Sequence, residues 1–113
     1  MSARREKILA LLADDPDDTF LRYSLAMDHR GDGENDRAIE LFDGLIADAT
    51  PHVPAFFMKG QILASDGKHD AARSVLRDGI DAARAQGDAH AAGEMSELLA
   101  SLGRFGEDDA DDL

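Results

Sequence analysis

Residues 30–42 read RGDGENDRAIELF, and residues 64–76 read ASDGKHDAARSVL. Laid over one another they pair Asp32-Gly33 with Asp66-Gly67, Ala38 with Ala72 and Phe42 with Leu76, all at an offset of 34 residues. The same offset carries Ala26 onto Gly60 upstream and Ile46 onto Ile80 downstream. One pattern is therefore used twice. This settles how the longer stretch MDHRGDGENDRAIELF, residues 27–42, is to be read. Alone it offers a receptor-type tripeptide, Arg30-Gly31-Asp32, or the acids and glycine of a calcium loop. The calcium reading fails on its ligands, because the third loop position would be Arg30 and the closing bidentate acid would be Ile39. The tripeptide falls at the end of a helix, where the repeat places a corner.

Working outward, apolar residues recur every three or four positions and strand-like alternation is almost absent. Ile8, Leu11 and Leu12 form one stripe. Phe20 or Leu21, Leu25 and Ala26 form the next, followed by Ala38, Leu41, Phe42, Leu45 and Ile46. Phe56, Phe57, Gly60 and Leu63 continue the series, then Ala72, Val75, Leu76 and Ile80, and last Met95, Leu98, Leu99 and Leu102. The spacing predicts six helices at about 3–14, 18–30, 35–48, 52–65, 69–86 and 89–102. Between them, DDPDD, GDGEND, ATPHVP, SDGKHD and QGD supply glycines for left-handed caps and Asp, Asn, Ser or Thr for helix starts. Such short connections turn each helix back against its predecessor. The closing GRFGEDDADDL has too little apolar content to order itself, so residues 105–113 are expected to be a disordered acidic tail.

The chain has 113 residues, 24 acidic and 12 basic side chains, and a formal charge of −12. One domain is expected. Nucleic acid is excluded as a partner, since phosphate binding draws on clustered Lys and Arg. No run approaches a membrane span, and the start MSARREKILALLADD lacks a cleavage pattern, so a cytoplasmic protein is expected. With no cysteine there is no disulfide, thiolate nucleophile or Cys-based zinc site. His29, His52, His69 and His90 lie in different elements, read as having no His-x-x-x-His or His–Glu pairing at helical spacing, so neither metal nor other cofactor is expected. Ser24, Ser65, Ser74 and Ser96 lack a nucleophile-elbow setting, and no phosphate-cradling loop appears, which argues against an enzyme.

At the repeated residues the chain resembles the tetratricopeptide repeat, whose pattern sets large, small and glycine positions on a helix pair. Residues 19–52 fit one repeat through Leu25-Ala26, Gly33, Ala38 and Phe42. Residues 53–86 fit the next through Phe56, Gly60, Leu63, Gly67, Ala72 and Leu76. Residues 3–18 then form a half repeat and 89–102 a terminal helix, with Gly103 on the corner position after a register slip, completing a domain over 1–104. The resemblance implies an all-α fold, a right-handed solenoid of antiparallel helix pairs. The sequence departs from the pattern where Arg22, Asp28 and His29 take inward or partly inward positions and Lys59 stands for Leu. These side chains snorkel, pair with acids or mark loose packing.

In that family the first helices of successive repeats line a concave groove that binds peptides or helices of other proteins. Carried over, the groove positions are Phe20, Tyr23, Met27 and Arg30, then Pro54, Phe57, Gln61 and Ala64, then His90, Glu94 and Glu97. Exposed aromatic and Met side chains suit the centre of an interface, so Phe20, Tyr23, Met27 and Phe57 are expected to anchor an apolar or amphipathic segment. The competing expectation is that these rings are ordinary core. The cationic clamp by which some relatives hold a terminal carboxylate is missing. The implied function is a non-catalytic scaffold or adaptor. Alternatives are a homodimer or other homo-oligomer whose groove is filled by a second copy, and an acidic decoy that binds a basic protein. The tail could also engage a basic partner or fold back over Arg4, Arg5 and Lys7.

Overall fold

The computed structural model describes the backbone of residues 2–111 and the side chains of residues 2–103. It is all-α, with six helices and no strand among the described residues: α1 (Ala3–Asp14), α2 (Thr19–Gly31), α3 (Asn35–Ile46), α4 (Val53–Ser65), α5 (His69–Ala85) and α6 (Ala89–Asp111). The first five match the sequence expectation to within two residues at each end. The starts of α1, α2 and α6 are capped by side-chain oxygens that accept otherwise orphaned N–H groups, whereas α3 and α5 begin at Glu34 and Lys68 without such a bond. Ser2 accepts from Arg5 N at 3.1 Å, Asp18 from Leu21 N at 2.8 Å and Asp88 from Ala91 N at 3.0 Å.

The repeated Asp-Gly pair closes α2 and α4 in the same way. Gly33 and Gly67 adopt φ of 76° and 77°, a left-handed conformation that a Cβ would strain. This lets Gly33 N donate to Arg30 O at 3.0 Å and Glu34 N to His29 O at 3.0 Å. In the second corner Gly67 N donates to Ala64 O at 3.1 Å and Lys68 N to Leu63 O at 2.9 Å. Both are Schellman caps, in which the last carbonyls of one helix are satisfied while the chain turns into the next. Gly103 does not repeat this. Among the described residues only Gly33, Gly67 and Gly87 have positive φ, and α6 runs through Gly103 and past Leu102 to Asp111. Glycine weakens a helix without forbidding it, and no proline follows to end this one. The side chains of the expected disordered tail, 105–113, lie outside the described residues, as do Asp112 and Leu113 altogether.

The chain divides into two compact units, the first ending at Ala55 and the second beginning at Phe56. In the first, α2 packs on α1 and α3. Its core is Ile8, Leu25, Ala26, Ala38, Phe42, Leu45, Val53 and Ala55. Leu11, expected on the buried stripe of α1, is instead 45 % exposed, and Leu9 beside it is 38 % exposed. Ile8 alone of the α1 hydrophobic side chains is buried, joined by the stem of Arg5.

In the second unit α5 packs on α6, and α4 lies against α5 through glycines. A Cβ at Gly60 would meet Leu76 Cδ2 at 2.7 Å, and one at Gly79 would meet both Phe56 Cβ and Met95 Sδ at 2.6 Å. The small residues therefore bring the helices within reach of bulky side chains that fill the space between them. Leu76 and Met95 are fully buried there.

Candidate functional site

The inward-facing charges of α2 meet partners of opposite sign, and for Arg22 the outcome is pairing with an acid, one of the three the sequence left open. Arg22 donates to both oxygens of Asp48, Nη1 to Oδ2 at 2.6 Å and Nη2 to Oδ1 at 3.2 Å. That fork lowers the Asp48 carboxyl below its ordinary value. Asp28 takes Arg5 Nε on Oδ2 at 2.6 Å. The other side of the same guanidinium, Nη2, donates to Asp32 at 2.9 Å and to Glu34 at 2.8 Å. Arg5 thus joins three carboxylates, and its hydrogen bond lowers the Glu34 carboxyl. His29 Nδ1 lies 3.3 Å from the same Glu34. The Asp of the Arg30-Gly31-Asp32 tripeptide is occupied by Arg5.

Phe20, Tyr23, Met27 and Arg30 follow one face of α2 at helical spacing. Phe20 is 75 % exposed, whereas Tyr23, Met27 and Arg30 are half-buried. The Tyr23 ring is turned inward, its centroid 5.9 Å from that of Phe42 and 5.0 Å from that of His52, the latter edge-on. Tyr23 is therefore part of the packing of its own unit as well as part of the face, and burial raises its phenol above the ordinary value. Burial also lowers His52, with Asp48 opposing and Arg22 reinforcing the shift. His52 is the neighbour of Tyr23 that sequence reasoning missed. It precedes α4 in sequence, and its backbone N–H donates to Leu45 O at 3.1 Å, which ties this residue back to α3.

Of the remaining positions, Pro54 is exposed, and Phe57, Gln61 and Ala64 on α4 are half-buried. His90, Glu94 and Glu97 are exposed on α6. His90 Nε2 lies 2.6 Å from Glu94 Oε1, four residues on. The expectation that no histidine meets a Glu at helical spacing was wrong, since this pair was already legible as an i,i+4 contact. Among the described residues no group of three or more His, Asp or Glu could hold a metal ion. No helix among them is long and apolar enough to cross a membrane.

A further feature, unremarked in the sequence, lies within the second unit. Arg77, Ile80, Asp81 and Arg84 of α5 and Ser96 and Leu99 of α6 line an open groove of about 390 Å³.

No family model matches the sequence, and no curated relative matches it. Solved structures do. A protein from Bordetella parapertussis, known in solution, is 28 % identical over 92 % of this chain and 90 % of its own, with a TM-score of 0.77. A tetratricopeptide repeat domain protein from Salinibacter ruber, solved by NMR, is 26 % identical over 77 % of this chain and 88 % of its own, with a TM-score of 0.72. The glycine corners, the small residues at helix crossings and these likenesses agree: the chain has a small tetratricopeptide-repeat-like fold, which in general suggests a protein-interaction module.

Proposed function

We propose that this protein is a non-catalytic adaptor that receives an apolar or amphipathic segment of another protein on the face of α2 formed by Phe20, Tyr23, Met27 and Arg30. The family resemblance assigns the same role to Pro54, Phe57, Gln61 and Ala64, and to His90, Glu94 and Glu97. The observation that carries the reading is Phe20. A phenylalanine 75 % exposed at the start of a well-capped helix gains nothing for folding, and its ring supplies contact area at low entropic cost when a partner covers it. Tyr23 and Met27, half-buried beside it, continue an apolar surface whose outer edges remain accessible.

The test is a pull-down with the wild type beside Phe20→Ala, combined with circular dichroism. Partners lost by the variant while its helicity is unchanged support the reading; retention of every partner removes it. A second reading, self-association, is favoured by Leu9 and Leu11, which α1 leaves exposed in the same unit as Phe20. Light scattering across concentrations separates the two, because a stable dimer of the wild type that Leu11→Ser dissolves would assign the apolar surface to a second copy.

A further inference from the structure

In this acidic chain most arginines are paired. Arg5, Arg22, Arg37 and Arg73 each bind a carboxylate, and Arg4 lies 4.0 Å from Asp28. Arg77 and Arg84 make no ion pair among the described residues, although acids outnumber bases by 24 to 12 and both arginines are exposed. Both stand at the same α5–α6 groove. They are seven residues apart on α5, which is two turns and about 10 Å along the helix axis. Ile80, 7 % exposed, lies between them, and Leu99 completes an apolar floor from α6. Asp81 occupies the same rim, four residues after Arg77 and three before Arg84.

We infer that this groove is a second docking surface, which takes an acidic helical segment of a partner protein carrying two carboxylates seven residues apart with an aliphatic residue between them. The spacing follows from geometry, since a helix laid along α5 presents side chains seven apart at the same rise as Arg77 and Arg84. Guanidinium forks bind carboxylates in two parallel hydrogen bonds, so each end of the segment is held in a defined place. Asp81 repels an acid placed midway, which selects the aliphatic residue that Ile80 and Leu99 can cover. A single small anion cannot span the two arginines or use the apolar floor. A polyanion would bring further charges against Asp81 and the acids of the rest of the chain.

The experiment uses the full chain and a fluorescein-labelled, stapled helical peptide with Glu residues seven apart and Leu between them, read by fluorescence anisotropy. The wild type is expected to bind it, and Arg77→Glu or Arg84→Glu to weaken binding roughly tenfold or more each. The double charge reversal is expected to prefer the same peptide with Lys in place of both Glu. Arg77→Gln and Arg84→Gln, which weaken binding without introducing a new charge, serve if a reversal disturbs helicity. Phe20→Ala leaves this binding unchanged, so loss of the α2 reading does not remove this one. Equal binding of a peptide whose Glu residues are four apart overturns the inference, as does undiminished binding by the double variant. Competition by a heparin fragment at the peptide's own strength would show a generic anion site. Stronger competition by a peptide of residues 104–113 would assign the groove to this chain's own acidic segment; either result overturns the proposal.

Discussion

Where residues 53–86 place Phe56, residues 19–52 place Arg22, and the two repeats differ again where Ile62 and Leu63 of one align with Asp28 and His29 of the other. In the second repeat the ring of Phe56 and the sulfur of Met95 sit against Gly79, whose missing side chain makes the room. In the first, Leu45 stands at the aligned position and is fully buried, while the Arg22 guanidinium reaches over Gly44 to Asp48. Hydrocarbon against glycine in one repeat is thus exchanged for a fork of hydrogen bonds beside a leucine in the other. What both keep is the Schellman corner and the small residue at the helix crossing, Ala26 or Gly60. The corners set the path of the chain, and the filling between helices is free to be oily or ionic provided each large side chain has a complementary neighbour.

The comparison breaks most severely if its complementary residues are altered. Leu45→Ala should destabilise the protein by about 2–5 kcal/mol, because it empties a fully buried site. Gly79→Ala should cost about 1–3 kcal/mol by overpacking, even though alanine is the better helix former. Urea unfolding measures both, and a neutral Gly79→Ala would show that α4 and α5 can separate without penalty.

Arg5 tests the ionic half of the comparison. Arg5→Leu should lower the melting temperature, since Asp28, Asp32 and Glu34 then face one another without their shared cation. Adding Asp28→Ile, the residue that the second repeat uses, should recover part of the loss. An additive pair of effects would mean that Arg5 and Asp28 are not coupled in solution.

Acid sharpens the contrast further. His52 is lowered by burial, so the stability of its neutral form is complete above the ordinary imidazole value of 6.5 and is lost as pH falls below that value towards the folded one. Glu34 and Asp48 are lowered by their arginines; their contribution is complete above the ordinary carboxyl values and is lost as pH falls through the depressed folded ones. Hydrogen exchange should therefore show α2 and α3 losing protection between neutral and acid pH before α5 and α6. An NMR titration should place the midpoint of His52 below that of a free imidazole. The smallest stability effect belongs to Phe20→Ala, within about 0.5 kcal/mol of the wild type because the ring is exposed. Its effect on partner capture should be large.

The corners and the capped starts of α1, α2 and α6 were legible because they are local: a glycine that must be left-handed and an oxygen three residues before an N–H are visible in any short window. The partners of Arg22 and Asp28 were not, since they stand 26 and 23 residues away and any of 24 acids or 12 bases could have been chosen. Tyr23 shows the same limit. Its spacing put it on the face of α2, but helical spacing says nothing of Phe42 and His52, which hold its ring. Tyr23→Ala would accordingly mix lost binding with lost packing, and Phe20 is the cleaner probe. Arg77 and Arg84 drew no notice because two arginines on a helix surface are ordinary. Their lack of acid partners among the described residues and their common groove depend on the placement of α6.

The two kinds of contact also differ in when they can form. The corner at Gly33 is closed by bonds between residues three and five apart, and such closures belong to the fast events of helix formation. The Arg5 cluster joins residues 23, 27 and 29 apart and needs α2 and its corner already in place to bring Asp28, Asp32 and Glu34 together. The left-handed glycine thus sets an order of assembly, in which the turn comes first and assembles the three acids that α1 later clasps.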